Sequence, residues 1–233
     1  MEPPAAAPAG DAASSLIFLG TGCSGALPDA RCLIHSSTPP CPVCSQALSL
    51  PPERNPNYSV AARFSYLMKN KLEEGDEVSQ VAQLDWTIIE GDIDKPFVSS
   101  GLEFVPLPVM HGEDYVCSGF LFGRKTRIAY LSDVSRILPR TEHAISKSGA
   151  GQLDLLVLET NRLHGEGDAR SCHLTLSQTL NAIKRISPKR ALLIGMNHEF
   201  EHQKENQTLA EWSSREGIPV QLAHDGLCVF IDL

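Results

Sequence analysis

The last third of the chain alternates apolar strand and amphipathic helix, and few architectures accommodate that order. LDLLVLET (153–160) and RALLIGM (190–196) read as buried strands, helices are expected at 174–186 and 201–216, and a closing strand pair is expected around PVQLA and LCVFI. Leu176, Leu180 and Ile183 stand at i, i+4 and i+7, the spacing of one helix face, with Lys184 and Arg185 towards solvent or the helix C-terminus. Strands alternating with helices predict an α/β fold in which the helices cover the sheet. With 42% hydrophobic and 21% charged residues in 233, the chain can bury a core as one domain. No apolar run approaches the about 18 residues that cross a bilayer, and a net charge of -8 argues against a generic surface for nucleic acid.

Residues 1–14 are Pro/Ala-rich with acidic Glu2 and Asp11 and no Lys or Arg, which predicts a disordered tail rather than a signal or transit peptide. The rest, 15–233, is expected to be a single domain in the cytosol or nucleus, where thiols stay reduced. Ser15 to Leu19 reads as a first strand entering a turn at Gly20, Gly22 and Gly25. The stretch 27–57 is rich in Pro, Ser and Cys and longer than most loops of a compact domain, so a metal is expected to fasten it. A helix is expected over 61–74, closed by Gly75, then strands at 84–90, 102–109, 116–123 and 127–132.

Three apolar strands run straight into a side chain able to bind metal: His111 in PVMHGEDY, Asp133 in AYLSDVS and His198 in IGMNHEF. Imidazole and carboxylate are donors that borderline divalent ions accept, and a carboxylate can bridge two of them. His173, opening a helix in SCHLTLSQ, stands near such a cleft as a proton donor or acceptor. Cys41 and Cys44 form a C-x2-C pair nine residues after Cys32, with Cys23 a rival third thiol.

The runs FLGTGCSGALP, PLPVMHGEDY, AYLSDVS and IGMNHEF…QLAHDG resemble the metallo-β-lactamase superfamily, and the Cys-rich loop resembles its phosphonate-pathway cyclic-phosphate phosphodiesterases and their plant relatives. The resemblance implies a mixed α/β fold, an αβ/βα sandwich with the active site at one edge. It implies His111 and His198 as ligands, Asp133 as the bridging carboxylate, and His173 as the histidine beside the scissile phosphate. It further implies zinc or manganese at the catalytic centre, a small phosphodiester as substrate, and a structural zinc on Cys32, Cys41, Cys44 and His202. A homodimer is compatible with it. An RNA-processing nuclease ranks below these readings, because no substrate-gripping element and no helpful charge are found.

One signature is missing. No two histidines stand two residues apart anywhere in the chain, so the superfamily's H-x-H-x-D-H motif is absent, and Asn57 and Tyr58 run through SVAAR almost directly into the helix expected after that motif. A block deleted near 58–61, by splicing or truncation, explains this and leaves the first sheet incomplete. Two protein ligands per ion is then a poor site where about three are usual, so catalysis is expected to be weak or lost. The alternative function is a non-catalytic, zinc-stabilised interaction or regulatory isoform. His143 and His164 read as solvent-facing, His224 and Asp225 as a turn before Gly226, and Glu199 as structural, with orienting the neighbouring His198 as its alternative role.

Overall fold

A computed structural model describes residues 14–21, 41–43, 45, 89–165 and 171–233. Residues 1–13 of the tail, the helix expected over 61–74, residues 84–88 of the strand expected at 84–90, the site of the suspected deletion, and Cys23, Cys32 and Cys44 lie outside the described residues, while Ser14 opens the first strand instead of ending the tail.

In chain order the elements are β1 (Ser14–Ile17), β2 (Phe97–Ser99), β3 (Leu102–His111), β4 (Tyr115–Phe122), β5 (Ile128–Leu131), β6 (Arg136–Ile137), α1 (Pro139–Ile145), β7 (Leu155–Glu159), α2 (Leu176–Ile186), β8 (Ala191–Ile194), α3 (His202–Glu216), β9 (Val220–Leu222) and β10 (Cys228–Ile231). The larger sheet has the order β2-β3-β4-β5-β7-β8-β9, with β6 beside β3. β2, β3, β4 and β5 pair antiparallel, while β5, β7, β8 and β9 pair parallel. β3 therefore runs in the same direction as β5, β7, β8 and β9. The C-terminal ends of all five lie along one sheet edge, where open α/β sheets hold their ligands.

β8 throughout, and β7 up to its last residue Glu159, are apolar because both faces are covered. On β7 and β8, Leu156, Leu158, Ala191 and Leu193 join a core with Ile145 of α1, Ala182 and Ile183 of α2, and Leu209 and Trp212 of α3. Their neighbours Leu155, Val157, Leu192 and Ile194 point the other way, into a second core with Phe18 and Ile231. The helices thus cover one face, and the small antiparallel sheet of β1 and β10 covers the other. Period-two alternation with both parities apolar gives this sandwich.

Local chemistry sets the ends. Thr175 caps α2: its Oγ1 accepts from the backbone N–H of Gln178, whose side chain in turn accepts from Thr175 N. Glu201 caps α3 by accepting from the backbone N–H groups of Gln203 and Lys204, and Gly217 closes it at φ 72°. Among the described residues no helix is long and apolar enough to cross a membrane.

Candidate metal centre

His111 is the last residue of β3, Asp133 lies two residues past β5, and Glu159 ends β7, so strand pairing alone brings them to one edge. His173 joins them from the segment leading into α2. His111, Asp133 and His173 each offer a ligand atom, and these atoms lie within 4.8 Å of one another. The two imidazole centroids are 4.8 Å apart, their planes inclined by 66°. Both histidines are half-buried and Asp133 is exposed, so the group opens to solvent.

Each imidazole is held through Nδ1. His111 Nδ1–H donates to the Cys172 carbonyl at 2.8 Å. His173 Nδ1–H donates to Glu159 Oε1 at 2.5 Å, and Glu159 Oε2 accepts from Val134 N at 3.1 Å. In the neutral form of each ring Nε2 is then the nitrogen left with a lone pair. Glu159 is buried, 2% exposed. Its hydrogen bond, reinforced by its charge and that of Asp133, raises the pKa of His173 against the opposing effect of burial.

Backbone geometry around the group is unusual. Asp133 has φ 52°, a left-handed conformation that non-glycine residues adopt at a cost, common where strain serves a site. Gly195, at φ 77° after β8, is needed as glycine: a Cβ there would meet Glu159 Cγ at 3.0 Å. Ser135 Oγ accepts from Gly112 N at 2.9 Å and donates to Met110 O at 3.0 Å, tying the loop after β5 to the end of β3.

The remaining candidates lie elsewhere. His198 stands apart from this group, with its Nδ1 3.7 Å from Cys41 Sγ, which also reaches the His198 carbonyl at 3.5 Å. His202 Nε2–H donates to Ala223 O, and its Nδ1 accepts from Asn206, each at 3.2 Å. Its ring packs edge-on to His224 at 6.1 Å. Glu199 accepts from Leu163 N rather than from an imidazole. Asp225 accepts from the N–H and hydroxyl of Thr21, in the turn between β9 and β10. His143 and His164 are exposed, as their sequence surroundings suggest.

Sequence reasoning passed over Glu159. It reads as the polar end of an apolar strand, and the available signal was a carboxylate following four consecutive apolar residues, Leu155 to Leu158, of a strand buried on both faces.

The residues fit a divalent ion: two borderline nitrogen donors and one carboxylate converge, each imidazole is oriented from behind, and the opening leaves coordination room. The fold is a mixed α/β sandwich with side chains of metal-binding type along the C-terminal strand edge. The sequence model of the Beta-lactamase superfamily domain matches residues 49–196, more than half of the chain, and the protein belongs to that superfamily. Among solved structures, a diphosphatase from the PhnP family superposes with TM-score 0.64 at 19% identity, covering 94% of this chain and 98% of that one. The Zn2+-bound PqqB of Methylobacterium extorquens superposes with TM-score 0.57 at 14% identity, covering 94% and 100%. No curated protein matches the chain in sequence.

Proposed function

We propose that the protein is a metal-dependent hydrolase of phosphodiesters, with cyclic phosphates or similar small esters as substrates, and that loss of the H-x-H-x-D-H segment leaves its turnover low. The observation carrying this reading is the convergence of His111, Asp133 and His173 at the open edge of the sheet. The likeness to a diphosphatase supports phosphoryl chemistry, and the likeness to a zinc-bound protein supports zinc, with manganese as the other candidate.

A divalent ion held there would supply Lewis acidity, lowering the pKa of a water towards about 7 and offsetting charge on a phosphoryl oxygen. Asp133 contributes the charge that draws the cation to this edge. His111, fixed by the Cys172 carbonyl, presents Nε2 to it. The net charge of -8 disfavours nucleic acid as substrate, and a cytosolic or nuclear location belongs to the same reading.

The test is metal analysis and hydrolysis of bis(p-nitrophenyl) phosphate by the purified chain with added Zn2+ or Mn2+. Slow hydrolysis that chelator removes and His111→Ala or Asp133→Ala abolishes is expected. Absence of metal-dependent hydrolysis overturns the reading. It would leave the second one, a non-catalytic zinc-stabilised interaction or regulatory isoform, which the position of Cys41 beside His198 favours. In that case alanine at His111 and Asp133 is silent.

A further inference from the structure

Glu159 presents a physical problem that the hydrolase reading does not address. Its carboxylate is 2% exposed, and burying a charge is costly unless it is paired and hydrogen-bonded. Among the described residues no Lys or Arg reaches it; its donors are His173 Nδ1–H and the backbone N–H of Val134. The fold nevertheless holds it rigidly. Thr179 Oγ1 of α2 donates to the Glu159 carbonyl at 2.9 Å, Thr160 N donates to Ile194 O at 2.7 Å, and Gly195 leaves room for the Glu159 side chain to pass.

A buried carboxylate behind one nitrogen of an imidazole, with metal-ligand side chains before the other, is how metal-binding histidines are oriented and made more basic. A cation on the far nitrogen also compensates the buried charge. The arrangement repeats at His111, where a neutral carbonyl takes the place of the carboxylate.

We propose that in this chain His173 is the third protein ligand of a single divalent ion, with His111 and Asp133, and that Glu159 is the residue that positions it. This rests on reading the edge as a metal centre but assigns His173 a role different from that of a proton donor to the substrate. One ion with three protein ligands and open positions replaces a two-ion centre with two ligands each, meeting the usual requirement without the missing motif.

The test uses Mn2+, which thiolates hold poorly, titrated into the full chain and followed by EPR. About one bound Mn2+ per chain is expected, with pulsed-EPR couplings from two coordinating imidazole nitrogens. His173→Ala and His111→Ala should each leave one such nitrogen and weaken binding by more than tenfold. Glu159→Gln has one acceptor oxygen for two donors and should weaken binding about 10–100-fold. In its metal-free form the His173 ring, read by 15N NMR, should change from one tautomer to a mixture, which a purely structural role would not produce. If the buried substitution prevents folding, the half-exposed His173→Gln variant still tests the ligand assignment. Wild-type couplings from one imidazole, or binding by His173→Ala within twofold of wild type, would overturn the proposal while leaving a metal centre in place. An unchanged affinity and tautomer in Glu159→Gln would remove Glu159 from it. Failure of wild type to bind Mn2+ would overturn both this proposal and the metal-centre reading.

Discussion

Cys41 Sγ lies 3.7 Å from Nδ1 of His198. Zinc bonds of about 2.3 Å to sulfur and about 2.1 Å to nitrogen in a tetrahedral site place the two ligands about 3.6 Å apart, so this pair already has the separation a shared zinc imposes. With Cys32 and Cys44, the further thiols that the sequence offers, completing the ligand set, purified protein is expected to carry about one tightly held zinc per chain beyond any ion at the open edge. Cys41→Ser and His198→Ala should each lose it. His202→Asn, at a ring engaged by Ala223 and Asn206, should retain it. Elemental analysis after dialysis against a weak chelator checks the three variants.

Gly195→Ala should couple stability to metal binding. Its φ of 77° costs an L-residue about 1–2 kcal/mol, and the added methyl would press on Glu159 Cγ. Urea unfolding is expected to show that loss. Mn2+ affinity should fall as well, because the displaced carboxylate no longer aims His173.

Thr175→Ala removes the cap of α2, two residues after His173. A cost of about 1 kcal/mol is expected from the freed Gln178 N–H. Metal affinity should fall less than in Glu159→Gln, since Thr179 of the same helix still holds the Glu159 carbonyl. Chemical denaturation and Mn2+ titration on the same samples separate the two effects.

Cys117, on β4, reports on the charge of the site. Burial first, and then the negative charges of Asp133 and Glu159, raise its thiol above the ordinary 9.0. Because the thiolate is the reactive form, alkylation by iodoacetamide should be slow at neutral pH and accelerate only above pH 9, measured by peptide mass spectrometry. A divalent cation beside Asp133 offsets that negative charge, so added Mn2+ should move the profile to lower pH.

The sequence by itself determined what is local. The apolar runs within 153–160 and 190–196 marked buried strands, the i, i+4, i+7 spacing at Leu176, Leu180 and Ile183 marked α2, and the polar residues after 102–109 and 127–132 marked His111 and Asp133. Side-chain periodicity carries that information because each residue's burial depends on its immediate neighbours in the element. Only the tertiary structure decided which strand ends share an edge, since that follows from the antiparallel and parallel pairings between distant segments. It set His173 beside His111 rather than leaving it a neighbour of the cleft, brought Cys41 to His198, and turned Glu159 from the end of an apolar strand into the buried partner of an imidazole. The physical reason is that a side chain's role at a site depends on what surrounds it in space, and the partners that orient His111 and His173 lie 61 and 14 residues away along the chain.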